Sequence, residues 1–486
     1  MTHDALLDES GAAKLGAPLA LLLAAQAARD PQRIALTLTD GALTRAELEQ
    51  RSNQRARQLQ QAGVGHDDVV ILAIPNGAAY YEFVYGIWKA GATPVHVSHK
   101  LTPREFDEIV ALAQPKLTLH PASPLLSPDL SAFADAPLPL SVASRWKIST
   151  SGGSTGRPKL IIDPNPALWG IEKQGHRRVP DSIIVNPGPL YHSAPFGMMI
   201  PALGEGCHVI EMGRFDAESY LAHVERHRAT WAFLVPTMMA RIARLPPEVL
   251  ARYDISSIQT LVHMAAICPP DVKRAWLKLL PPETIWEIYG GTERIGSTII
   301  RGDEWLEHPG SVGRPRQGVE LQIFDEHGAP LPSGEVGEIY FRRPELTFEY
   351  IGADARRRGE WRSFGDMGWL DKEGYLYIAD RRTDMIVTGG VNVFPAEVEA
   401  QIDALPGIHD SIVAAAPHAD LGAVPYAVVQ QHPDGRWTEA TLLEALRERL
   451  APHKMPRGVR FVDEPLRDES GKIRRAAWRE RLAQSS

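Results

Sequence analysis

The sequence predicts an α/β chain in two unequal parts. A large N-terminal domain of layered α/β subdomains includes a β-rich subdomain, and a small α+β domain follows it. Three observations predict this. Helix-like and strand-like segments alternate through the first half. Residues from about 311 to 376 are rich in glycine, proline and β-branched residues, as in "GVELQIFDEHGAPLPSGEVGEIYF". After "DRRTDMIVTGG" the pattern changes again, which sets a boundary near Arg382 and gives domains 1–382 and 383–486, with the β-rich subdomain at about 311–376. A chain of 486 residues is also too long for one core.

The elements follow in order. "APLALLLAAQAA" (17–28) has the length of a signal-peptide apolar region, but Asp4, Asp8 and Glu9 stand where a basic start is needed. It is too short to span a bilayer, so it reads as the opening helix. "LTRAELEQRSNQRARQLQQAGV" begins with a capping box, Thr44 with Glu47, and stops at Gly63. "DVVILAIPN" and "ATPVHVSH" read as buried strands, an alternation that places ligands at strand ends. Past the boundary, Pro395 suits a first helical position. "SIVAAAP" and "YAVVQQH" read as strands, and "ATLLEALRERLAPH" as a helix.

Composition narrows the function. Apolar residues make up 44% and charged residues 23%, ordinary for a globular enzyme, and the net charge of −8 comes from mixed signs. No basic stripe invites nucleic acid, and no segment implies stable membrane insertion. Two cysteines, Cys207 and Cys268, form no metal or redox pair, so a reducing cytoplasm is the expected home. Cys268 reads as a small core residue rather than a nucleophile.

"STSGGSTGRPKL" (149–160) is the first chemical signal. It is too short for a Gly/Ser linker and fails the GxxxxGK[ST] pattern, since Arg157 follows Gly156. Its glycines, hydroxyls and lysine still compose a phosphate cradle. The spacing from Ser151 through Pro158 and Lys159 resembles the phosphate loop of the adenylate-forming superfamily: acyl-CoA synthetases, peptide-synthetase adenylation domains and luciferases. Further stretches resemble that family's motifs, in order: "PLYHSAPF", "EIYGGTERIG", "SFGDMGWL", "DRRTDMIVTGGVNVFPAEVE" and "PLRDESGKIRR". "HPGSVGRP" (308–315) also looks like acyl-CoA synthetases.

The resemblance implies two steps. A carboxylate attacks the α-phosphorus of ATP to give acyl-AMP and pyrophosphate, and a thiol then takes the acyl group. The attacking carboxylate is already ionised at neutral pH, so charge stabilisation and positioning do the work. By the same resemblance, Ser151, Gly152, Gly153, Ser154, Thr155, Gly156 and Lys159 would hold the β- and γ-phosphates. Glu293, with Thr155 nearby, would bind Mg²⁺. Tyr289 and Gly290 would flank the adenine, and Thr292 would reach the α-phosphate. Asp366 would take both ribose hydroxyls, aided by Arg381. Phe364 departs from the family's usual threonine, and Thr383 stands where the hinge is usually aspartate or lysine. Lys472 would bridge the carboxylate and the α-phosphate. The small domain is expected to be mobile, rotating between steps to bring Gly389 and Gly390 toward the pantetheine arm of coenzyme A.

The acid would be lined by His192, Phe196, Gly197, Met198, Phe233, Met238, His263, Met264, Ala265 and Ala266. His192 also stands with Lys472, Thr292 and Glu293 as a catalytic candidate. "HMAAIC" replaces the family's GGAP-like residues. No Asp or Glu lies between Pro189 and Gly204, so a buried α-ammonium would lack a counter-ion, and an acid without an α-amine is expected. The acid class stays open among bulky (bile-acid or sterol-side-chain), medium-chain fatty and aryl acids. So does the role: acyl-CoA ligase, acyl-AMP ligase loading an acyl carrier protein, or inactive nucleotide-binding relative.

Overall fold

The opening apolar run folds as helix Leu19–Arg29, which buries Leu19, Leu22, Leu23 and Ala25. The computed structural model describes residues 6–151, 158–169, 178–344, 348–352, 354–381, 384–388, 391–418, 420–467, 473 and 475–483. Helix Arg45–Gln61 starts at the expected box: Thr44 accepts from the Glu47 N–H, and the Glu47 side chain bonds back to the Thr44 N–H. Helix Pro395–Asp403 begins at its proline. Among the described residues, no helix is long and apolar enough to cross a membrane.

Three sheets organise the described residues. The largest has 15 strands. In its α/β part, strands Ile34–Leu38, His208–Glu211, Ile183–Asn186, Trp231–Leu234, Thr260–His263 and Ile285–Gly290 run parallel to their neighbours in that order. From Ile285–Gly290 onward every pairing is antiparallel, through Ser297–Arg301, Ser311–Pro315, Leu376–Arg381, Asp366–Leu370 and Gly337–Arg342. The β-rich stretch therefore continues the main sheet instead of forming a separate one. The charge run Arg356–Arg358 is a short strand paired with Trp361–Ser363.

A second sheet of six strands holds Val69–Leu72, Thr93–His96 and Ile148–Ser151 in parallel, then Lys159–Ile162 and Glu349–Ile351 antiparallel. The last of these comes from the β-rich stretch, so the two sheets are joined there. Helices Leu19–Arg29, Ala78–Lys89 and Ser193–Gly204 share one apolar cluster with strands of both sheets, centred on side chains such as Tyr80, Phe83, Trp88 and Phe196. The C-terminal part has its own five-stranded sheet and its own core, including Val398, Ile402, Val413, Val429 and Leu446.

Candidate active site

Strand register assembles the nucleotide side. Ser151 pairs with Lys159 across the antiparallel ladder, which closes the phosphate loop. Gly152, Gly153, Ser154, Thr155 and Gly156 lie outside the described residues, as does the side chain of Ser151. Lys159 shares a face with Ile161, and Tyr350 pairs with Ile161 on the next strand. Lys159 and Tyr350 are thus diagonal neighbours. The Lys159 ammonium donates to the Tyr350 hydroxyl at 2.9 Å and lies 3.4 Å from Glu293 Oε1. The Tyr350 O–H in turn donates to Glu293. Burial, and next the Glu293 charge, push the phenol's pKa far up. So the predicted phosphate cation and the predicted Mg²⁺ ligand meet, joined by a tyrosine that the motifs do not single out.

The strand Ile285–Gly290 ends in the turn that carries Thr292 and Glu293, both partly buried. The Tyr289 hydroxyl donates to Asp366 Oδ2 at 2.7 Å. Asp366 pairs with Arg381 across adjacent strands, which brings the expected ribose residues side by side; the Arg381 side chain lies outside the described set. Phe364 stands edge-on to Tyr289 with ring centroids 6.0 Å apart. A Cβ at Gly291 would sit 2.5 Å from the Phe364 ring. This phenylalanine and the second glycine of "YGGTE" are therefore a matched pair.

The acid side starts from helix Ser193–Gly204, with His192 at its N-cap and half-buried. Gly197 is half-buried, whereas Phe196 is fully buried and stacks on His96 at 4.7 Å. Met198 is buried beside Arg178, which is bidentate to Glu205. Met238 is buried in helix Pro236–Ala243, Met264 is half-buried, and Ala265 and Ala266 are exposed. Ala265 has φ +81°, a left-handed conformation that a side chain disfavours.

Pairing in register puts Phe233 with Val262, and Leu234 with His263. Alternation then sends Phe233 and His263 to opposite faces of the sheet. The two do not wall one pocket together on the same face.

His263 is fully buried, and its Nε2 meets the Lys273 ammonium. Lys273 also donates to Glu287 Oε2 at 3.0 Å. An ammonium only donates, so Nε2 accepts and the ring proton is on Nδ1. Burial, then the Lys273 charge, hold the imidazole neutral, with its pKa well below 6.5. Burial raises the Glu287 pKa, and Lys273 opposes that rise.

A second polar cluster joins the two halves of the site. His96 Nδ1 donates to the Tyr191 carbonyl at 2.8 Å, so its Nε2 accepts from the Ser149 hydroxyl at 2.8 Å. Buried Lys147 donates to Ser193 at 2.9 Å, one residue past His192. The strand before the phosphate loop is thereby tied to the start of the acid helix. His96 carried no sequence signal because its segment reads only as buried strand, and Lys147 stands just ahead of the phosphate-loop stretch with no motif of its own.

Lys472, Gly389, Gly390 and Thr383 lie outside the described residues. Arg467 and Ile473 form a backbone bridge across the segment that holds Lys472. Arg475 is held by Glu399, by the Val413 carbonyl at 2.8 Å and by Asp384 at 3.3 Å. Asp380 accepts from the Ala396 N–H at 2.8 Å. Both cysteines are buried free thiols whose pKa values burial raises.

The family model for AMP-binding enzymes matches residues 23–144 and 146–351, and that for the AMP-binding enzyme C-terminal domain matches 397–472. Feruloyl-CoA synthase of an Amycolatopsis species is 32% identical over 94% of this chain and 97% of its own. The long-chain-fatty-acid–CoA ligase FadD13 of Mycobacterium tuberculosis is 27% identical over 92% and 94%. ATP-bound MatB from Rhodopseudomonas palustris superposes with a TM-score of 0.81 at 26% identity, covering 95% of this chain and 98% of that one. The chain belongs to the AMP-binding enzyme family. Within it the chain falls in the adenylate-forming acyl-CoA ligase branch, an AMP-forming acid–thiol ligase.

Proposed function

We propose that this ligase activates a carboxylic acid without an α-amine, of bulky, fatty or aryl type, as its acyl-adenylate and passes it to coenzyme A. The observation that carries this is the acid helix. Ser193–Gly204 holds no carboxylate, and the first one after it, Glu205, is already neutralised by Arg178 at 2.7 Å. A buried α-ammonium would find no counter-ion on this helix. Two relatives are named for a feruloyl acid and for long-chain fatty acids, which supports an aryl or fatty acid here.

Lys159 and the loop before it would bind the β- and γ-phosphates, and Asp366 with Arg381 the ribose. Tyr289 and Gly290 would border the adenine, and Thr292 would donate to the α-phosphate. Glu293 fits a Mg²⁺ ligand: it is a partly buried carboxylate beside Lys159, and an ion shared with phosphates needs only one or two protein carboxylates. When bound, Mg²⁺ supplies positive charge to the phosphates. Lys472 would hold the carboxylate against the α-phosphate. Gly389 and Gly390 would let the thiol arm approach in the second step.

The test separates the half-reactions. Lys472→Ala should lower pyrophosphate release about 10²–10³-fold yet keep thioester formation from supplied acyl-AMP. Gly390→Trp should do the reverse. If both variants lose the same half-reaction, the alternation reading fails. Pyrophosphate release that ignores coenzyme A would instead point to a carrier-protein thiol. No release with any acid would point to an inactive relative.

A further inference from the structure

The turn after strand Ile285–Gly290 carries Thr292 and Glu293, and a glycine stands at each end of it, Gly291 and Gly296. Neither glycine has a left-handed φ. Their backbones would accept an L side chain, so what excludes one is space. A Cβ at Gly291 would lie 2.5 Å from Cε1 of Phe364 and 2.9 Å from Oε2 of Glu293. A Cβ at Gly296 would overlap the ring of Phe341.

Both rings come from the β-rich stretch. Phe341 sits on strand Gly337–Arg342 opposite Arg362, and Phe364 directly follows strand Trp361–Ser363. Their centroids are 5.8 Å apart. Tyr289, just before the turn, completes a triangle, 6.1 Å from Phe341 and 6.0 Å from Phe364. These are the spacings of attractive aromatic pairs. Phe341 is fully buried. A side chain added at Gly291 would therefore press on a ring braced by two others. On its other side it would meet Glu293, whose Oε1 already takes Lys159 and Tyr350. Tyr289 also donates to Asp366, so the same triangle reaches both ends of the nucleotide side.

We propose that Phe341 and Phe364 are positioning residues that bracket this turn, one ring on each terminal glycine, and so fix Thr292 and Glu293 for the nucleotide's phosphates. Phe364 stands where threonine is usual in the family, and Gly291 is the clearance that its ring requires. The departure at one motif is thus balanced by a glycine in another. The inference rests on the ligase reading above, which gives Thr292 and Glu293 their roles, and adds what holds them in place.

The experiment is a double-variant cycle on Gly291→Ala and Phe364→Thr. It reads KM for ATP, KM for the acid and kcat of pyrophosphate release, with the fatty or aryl acid that wild type turns over fastest. Gly291→Ala should lower kcat/KM for ATP about tenfold or more and leave KM for the acid unchanged, because the displaced groups serve the nucleotide. In the Phe364→Thr background the ring is gone, and Gly291→Ala should cost less than about threefold. Phe364→Leu keeps apolar bulk and should retain more of the wild-type kcat/KM for ATP than Phe364→Thr does. Thermal unfolding identifies any variant that fails to fold; if Gly291→Ala alone does, the Leu/Thr contrast at position 364 carries the result. Equal loss from Gly291→Ala in both backgrounds, no loss from it in wild type, a matching rise in KM for the acid, or no difference between the two variants at 364 would overturn the inference and leave the ligase reading intact. No pyrophosphate release by wild type with any acid would remove the ligase reading and this inference with it.

Discussion

Replacing Lys273 by methionine should produce a stability defect that grows with pH. Lys273 and Glu287 are both buried, with Nζ and Oε2 3.0 Å apart. Removing one partner of a buried pair costs about 3–5 kcal/mol, because the other charge is left uncompensated. Glu287 can escape that penalty by taking a proton. Burial already raises its pKa, and losing Lys273 removes the influence that opposes the rise. A carboxyl whose folded pKa exceeds the unfolded value of about 4.3 contributes stability that is full below 4.3 and is lost as pH rises through the folded pKa. The variant should therefore match wild type most closely at the acid end and fall behind as pH rises, by at most about 1.4 kcal/mol per pH unit. The loss is bounded by the cost of a broken buried pair. Denaturant titrations followed by tryptophan fluorescence at pH 5 to 8 measure the difference directly. Adding Glu287→Gln to Lys273→Met should remove most of the pH dependence. A deficit that does not change with pH, or a double variant no better than the single one, would refute the reasoning.

Three further outcomes follow from the geometry. Tyr350→Phe should lower pyrophosphate release about tenfold, less than the roughly 10²–10³-fold loss in Glu293→Gln, because the phenol only places Lys159 and Glu293; an effect as large as that of Glu293→Gln would make Tyr350 a direct participant. Asp366→Asn should weaken discrimination between ATP and 2′-deoxy-ATP about tenfold in kcat/KM, as one charge-assisted bond is lost; unchanged discrimination would take Asp366 away from the ribose. Ala265→Gly should raise stability by about 0.5–1 kcal/mol, since its φ of +81° is strained for alanine, and thermal unfolding would register the gain.

How much could be read beforehand depended on how local the cause was. The capping box at Thr44 and the proline at 395 are decided within four residues, and both appear where the sequence puts them. The hydroxyls, glycines and charges of the nucleotide motifs are likewise local, so Lys159, Tyr289, Glu293 and Asp366 were visible. Tyr350 was not. Its role comes from a strand that leaves the β-rich stretch to pair with Lys159–Ile162, a contact 191 residues apart in sequence. His96, Lys147 and Lys273 were hidden for a related reason. A polar residue inside an apolar segment looks like an exposed position until tertiary partners are known. Which acid-wall candidates share a face was not legible either, because composition gives residue type but not face. Phe233 and His263 both suit a pocket, yet strand alternation parts them.

The nucleotide side stands paired without ligand. Lys159 bonds to Tyr350 and lies beside Glu293, and Tyr289 bonds to Asp366. ATP must exchange these contacts for its own, so part of its interaction energy offsets what is broken, and the pairing keeps opposite charges compensated until then. Helix Ser193–Gly204 carries no charged side chain to exchange. An acid that packs on it gains by apolar contact alone, where one methylene is worth only about 1–3 kcal/mol. Loss of a nucleotide contact should therefore cost more than a one-methylene misfit of the acid.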